Sequence, residues 1–175
     1  MTTLSPKARK LLLTAHVASS VASIGAVASF LALSVAGLLT SDDQLMFVCY
    51  RAAKLITWAV IVPLVVASLI TGLVSSLATK WGLIRYYWVV TKLCLTVFLV
   101  GVVLLQTAPI SLVVDLAAIG EAVGSGGQFS QLRISIVLHA AGGLFVLLLN
   151  TVLGIYKPSG VTRYGWRKQQ ERGGS

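Results

Sequence analysis

The sequence predicts an all-α integral membrane protein, an antiparallel four-helix bundle, on three observations. Hydrophobic residues make up 57% of the 175 positions and charged ones only 11%, with a mean hydropathy of +0.90. Soluble domains carry roughly a quarter charged residues. Four apolar runs each reach the roughly 20 residues needed to cross about 30 Å of hydrocarbon. The charges between those runs segregate by sign.

The first span is expected over about 8–39, with Ser5 as N-cap and Pro6 at the first helical position. Its apolar run, Leu11 to Leu39, is too long for the hydrophobic part of a signal peptide, so it reads as a retained helix despite the basic opening MTTLSPKARK. Thr40-Ser41-Asp42-Asp43 breaks it and caps the second span, about 43–78. A turn from Thr79 to Arg85 leads to the third, about 86–113. Residues 110–123 either prolong that helix or lie along the outer surface. The glycine-rich Gly124-Ser125-Gly126-Gly127 reads as a loop, since no strand precedes it. The fourth span, about 130–156, closes at Lys157-Pro158-Ser159-Gly160. Residues 157–172 form a basic tail within a single domain, 1–172, and Gly173-Gly174-Ser175 reads as a cloning remnant. Pro63 is expected to kink span two, and Pro109 sits near the outer end of span three.

The net charge of +9 follows from topology. Lys7, Arg9, Lys10, Lys80, Arg85, Lys157, Arg163, Arg167, Lys168 and Arg172 fall on one side. Asp42, Asp43, Asp115 and Glu121 fall on the other, with Arg133 the lone cation at that edge. By the positive-inside rule both termini of this multi-pass chain are expected to be cytoplasmic. Trp81, Tyr86, Tyr87 and Trp88 suit the inner interface. The short tail following a span argues against nucleic acid as a partner; the lipid bilayer is the partner expected, with a homo-oligomer or a membrane redox protein as further candidates. Cys49 and Cys94 read as buried thiols, since no disulfide or zinc spacing occurs.

Ala18, Ala22 and Ala26, and alongside them Ala15, Ser19 and Ser23, form stripes of small residues that let helices approach closely in lipid. Ionisable groups inside the lipid are expensive and each raises a functional question. Lys92 can snorkel to the inner headgroups. Asn150 and Gln106 suit hydrogen bonds between helices. Arg51 and Lys54 share a face roughly 12–17 Å from the outer start of span two. His139, in VLHAAGGLF, lies at similar depth, with Gly142 and Gly143 on its face one turn deeper. An imidazole beside a bare helix surface suits a flat macrocycle: His139 as axial ligand to haem b, with Arg51 and Lys54 holding the propionates. The same glycines suit close helix packing, and a neutral histidine can simply bond across helices. His16 is the second candidate ligand for metal or haem iron, though it is expected about 8 Å off His139 in depth.

LTAHVASSVASIGAVASFLALSVAGL, TGLVSSLATKWGLIRYYWVVTKL and VLHAAGGLF…YKPSGVTRYGWRK resemble a group of bacterial four-span membrane proteins familiar from actinobacteria. The resemblance implies the fold and the compartment, a bacterial plasma membrane, and carries no catalytic residues over. A looser likeness, to the membrane parts of copper-resistance and b-type cytochrome families, rests on histidines within small-residue helices. Two-haem cytochromes of that kind use four histidines, whereas this chain has two.

The preferred reading is a haem-binding or quinone-linked redox protein, with His139 and His16 as candidate ligands. A non-catalytic structural or partner-binding module is the alternative, and metal or solute passage through an oligomer a third. No nucleophile–histidine–acid set, intramembrane carboxylate pair or phosphate-binding glycine motif favours a hydrolase or nucleotide enzyme.

Overall fold

The computed structural model describes residues 4–78, 82–118 and 126–173. Lys80, Trp81 and Glu121 lie outside them. Four long helices build the bundle: α1 (Pro6–Leu39), α2 (Asp43–Leu77), α3 (Tyr87–Ala118) and α4 (Gly126–Tyr156). Each packs on its chain neighbour, and α4 closes the ring against α1. A short helix, α5 (Arg163–Gly173), follows. No strand occurs among the described residues; the one β-bridge joins Tyr86 to Val161. All four long helices have the length and hydropathy to cross a membrane, so this is a multi-pass all-α membrane bundle. Leu11, Leu105, Leu138 and Phe145 are each at least 65% exposed, a surface made for lipid rather than water.

Local chemistry sets the ends. Ser5 accepts a hydrogen bond from the Ala8 amide, with Pro6 next to it opening α1. Asp42 accepts from the Gln44 and Leu45 amides and starts α2, which places its carboxylate at the positive end of the helix dipole. The start of α1, the end of α4 and most of the described cations lie at one end of the bundle, the basic end. Asp42, Asp43 and Asp115 mark the acidic end.

Neither of the two stripes on α1 faces inward as a whole: Ser19 and Ser23 of one and Ala26 of the other are buried, together with Val27, Phe30, Ser34 and Gly37, whereas Ala15, Ala18 and Ala22 face out. Cys49 is buried as expected, but Cys94 is exposed on the outer face of α3. The stretch after Pro109 prolongs α3 to Ala118 and buries Ile110, Val113 and Val114. The glycine-rich loop is shorter than the sequence suggested, because Gly126 and Gly127 already belong to α4.

At Pro63 the structure substitutes a wide turn for a simple kink. Thr57–Ile61 is a π-turn in which the Val62 amide bonds to the Thr57 carbonyl. Proline has no N–H to give to the Ala59 carbonyl and its ring crowds that oxygen, so the turn widens just before it. The buried residues Tyr50, Ala53, Thr57, Ile61 and Val65 consequently stay on one face.

Residues 157–172 are more than a tail. Thr162 donates its hydroxyl to the Ile84 carbonyl at 2.6 Å and its amide to the Arg85 carbonyl at 2.9 Å. The same hydroxyl accepts from the Gly165 amide, capping α5. Gly165 lies so close to the α2–α3 loop that a Cβ there would stand 2.5 Å from the Arg85 carbonyl oxygen.

Candidate functional site

A cavity of about 50 Å³ lies where all four long helices meet. Phe30 of α1, Thr57 and Ile61 of the α2 π-turn, Gln106 of α3, and His139 and Gly143 of α4 are among the residues that line it. Its walls are apolar apart from Thr57, Gln106 and His139. Thr57 donates its hydroxyl to the Ala53 carbonyl at 2.9 Å.

His139 is exposed at this cavity. Its Nδ1 lies 2.7 Å from the Ser135 carbonyl oxygen and 3.2 Å from the Ser135 hydroxyl. A carbonyl only accepts, so in the neutral ring Nδ1 carries the proton and Nε2 holds a free lone pair. The two glycines one turn on divide their tasks. A Cβ at Gly142 would meet nothing within 4 Å, whereas at Gly143 it would touch Leu99 at 3.5 Å. Neither glycine is required for helix contact within the chain. The glycines that do permit close contact are Gly37 against Tyr50, Gly72 against His16, Gly154 against Lys92 and Gly165 against Arg85.

His16 sits elsewhere. Its Nδ1 lies 3.0 Å from the Ser68 carbonyl oxygen and 3.2 Å from the Thr71 hydroxyl, and Ser20 and Ser68 share a hydrogen bond at 2.8 Å beside it. Seven residues of α2 separate Ser68 from Ile61 at the cavity, and eleven of α1 separate His16 from Val27. At 1.5 Å per residue that is about 10–16 Å of depth. Two axial ligands must flank one iron, and these two histidines do not. No group of three or more metal-ligating His, Cys, Asp or Glu side chains gathers among the described residues.

Arg51 and Lys54 are also away from His139. The Arg51 guanidinium lies over the Phe47 ring, 5.7 Å from its centroid. The Lys54 ammonium stands 4.0 Å from Asp115, the acid of α3 among those the sequence offered as its counterion. Neither cation lines the cavity, so no propionate cradle is gathered beside His139. Asn150 behaves as expected, donating to the Thr96 hydroxyl at 3.0 Å across α3 and α4.

Arg133 stood out in the sequence only by its place at the outer edge. Its guanidinium donates to the Gly37 and Leu38 carbonyls at the end of α1 and lies over the rings of Tyr50 and Phe129, at 5.9 and 5.5 Å. A cation on the last carbonyls of a helix meets the negative end of its dipole. The signal was present in the sequence, a solitary cation at the acidic edge, but its partners come from three helices. No family model, no curated protein and no solved structure matches the chain.

Proposed function

We propose that the chain is a bacterial plasma-membrane redox module, both termini cytoplasmic, that docks a lipid-soluble quinone at the His139 cavity. The observation that carries this reading is the Nδ1 hydrogen bond to the Ser135 carbonyl. It leaves Nε2 as a proton acceptor at the rim of an apolar cavity that lipid-borne molecules can reach sideways. A quinol hydroxyl can donate to that lone pair, and the Gln106 amide offers both a donor and an acceptor to the ring oxygens. The cavity itself is too small for the whole ring, so the ring lies partly between α3 and α4 on the lipid side.

A second reading keeps haem b at the same residue. It is favoured by that lone pair, the arrangement an iron-ligating histidine needs, and by the bare surface at Gly142. A macrocycle does not fit into about 50 Å³ and would lie on the outer face of α4, ligated by His139 from this chain and without His16. That volume and the separate position of Arg51 and Lys54 put quinone first.

The test is purification in mild detergent, followed by solvent extraction for quinone and by oxidised and reduced visible spectra. Co-purified quinone that falls roughly tenfold in His139→Ala, as expected for losing about one hydrogen bond to a bound ligand, supports the first reading. A Soret band that shifts on reduction and vanishes in His139→Ala supports the second. A protein without either, which also fails to take up added quinone or haem, is a structural or partner-binding module.

A further inference from the structure

We propose that α5 is an anchor for anionic phospholipid at the basic end of the bundle, with Arg163 and Arg167 on the lipid phosphates and Trp166 seated beside them in the headgroup layer. The inference is independent of what binds at His139.

The depth of α5 follows from where its start is pinned. After α4 the chain turns back through residues 157–160 and runs beside the first residues of α3. The Tyr87 amide donates to the Gly160 carbonyl at 3.2 Å, Val161 bridges Tyr86, and the Thr162 amide donates to the Arg85 carbonyl at 2.9 Å. Arg163 therefore opens α5 level with the first turn of a spanning helix. The rings of Tyr87 and Tyr156 at this level are 58% and 78% exposed, which suits the boundary between hydrocarbon and headgroups.

The free side of α5 follows from its docked side. Thr162 and Gly165 are buried against the α2–α3 loop. Arg163, Trp166 and Arg167, spaced i, i+3 and i+4, share a face turned away from that loop, and all three are exposed. Trp166 keeps 57% of its surface uncovered. Such a ring is costly in water but has a place at the membrane edge, where its apolar body meets lipid and its N–H meets headgroups. Among the described residues neither arginine makes an ion pair. Glu171, four residues on from Arg167, bonds instead to Lys168 at 3.0 Å. Two guanidinium groups beside an indole thus match both the charge of an anionic lipid surface and its layering. A soluble acidic protein would answer the charge but not the aromatic ring at this depth.

The experiment measures acrylamide quenching of Trp166, taken as the difference between the full chain and Trp166→Phe, in phosphatidylcholine nanodiscs carrying increasing fractions of phosphatidylglycerol. Phosphatidylglycerol is expected to shield Trp166. The fraction giving half the effect should rise roughly fivefold in Arg163→Gln and in Arg167→Gln, the equivalent of about 1 kcal/mol per cation. Arg167→Lys, which keeps the charge, should retain most of the response, and high salt should weaken it. If Arg163→Gln releases α5, seen as new protease cleavage near residues 158–162, Arg167→Gln decides. Equal quenching of Trp166 at every lipid composition, as for a face that awaits a soluble partner, would overturn the proposal. So would equal shielding of wild type and both charge-removing variants, or shielding by inorganic phosphate in phosphatidylcholine alone, which would make the arginines a site for the free ion.

Discussion

Arg133 and His16 show how differently two polar residues can be housed in one apolar bundle. Arg133 bonds two carbonyls of α1 while standing over two aromatic rings. Charge-assisted hydrogen bonds and cation–π contacts of this sort contribute about 2–3 kcal/mol together. Arg133→Ala should therefore lower the thermal midpoint in detergent by several degrees, and Arg133→Lys by less, since one ammonium cannot match the planar fork. An unchanged midpoint in Arg133→Ala would mean the guanidinium is only resting on the surface. His16 is satisfied by Ser68 and Thr71 on a single facing helix, and intramembrane bonds of this kind average about 0.6 kcal/mol. His16→Ala should cost about that much and leave any ligand bound at His139 in place. Parallel loss of ligand in His16→Ala and His139→Ala, with both proteins folded, would contradict the separation of the two sites.

The helices themselves were legible because their signals are local: Ser5 before Pro6, Asp42 before an apolar run, and lysine–proline after Tyr156 each fix an end through neighbours in sequence. The π-turn was half legible. Pro63 announced an irregularity, but its form depends on keeping Thr57, Ile61 and Val65 on one core face, which only the packed bundle reveals. The α5 helix was hidden by its polarity. Its mean character is that of a solvated tail, and what orders it is the non-local contact of Thr162 and Gly165 with residues 84–86. Within α5, Lys168 sits against Glu171, whose hydrogen bond raises its pKa above the usual lysine value, a surface pair of little weight. The contact at Gly165 is the one that matters. A methyl group there meets backbone, which cannot swing aside, and overpacking of that type costs about 1–3 kcal/mol. Gly165→Ala should free α5 while sparing the four spans, seen as new protease cleavage near residues 158–162 with the bundle intact. Cleavage no faster than in wild type would show that α5 docks through other contacts.

At the scale of the molecule, the apolar surface suits the bundle to a bilayer, and charge asymmetry predicts which way round. The candidate site was legible only in part for the same reason of scale. His139 could be singled out from one helix, but its cavity is assembled from four, and Arg51 and Lys54 share its depth without sharing its place in the ring. Orientation, by contrast, sums over many residues and is insensitive to such detail. Lys7, Arg9, Lys10, Arg85, Lys157, Arg163, Arg167 and Lys168 all lie at the end where α1 starts and α4 ends, whereas Asp42, Asp43 and Asp115 lie at the other. Basic residues close to span ends resist translocation, so the α1–α2 and α3–α4 connections should face outward and the α2–α3 loop inward. Ser41 and Ser159 are both exposed, one at each end, and both native thiols sit within the spans, Cys49 buried and Cys94 on the outer face of α3. In intact cells a membrane-impermeant maleimide should label Ser41→Cys, and it should label Ser159→Cys only after the membrane is permeabilised. The reverse pattern would invert the bundle. Labelling of both positions in intact cells would mean that the chain inserts in two orientations despite its charge bias.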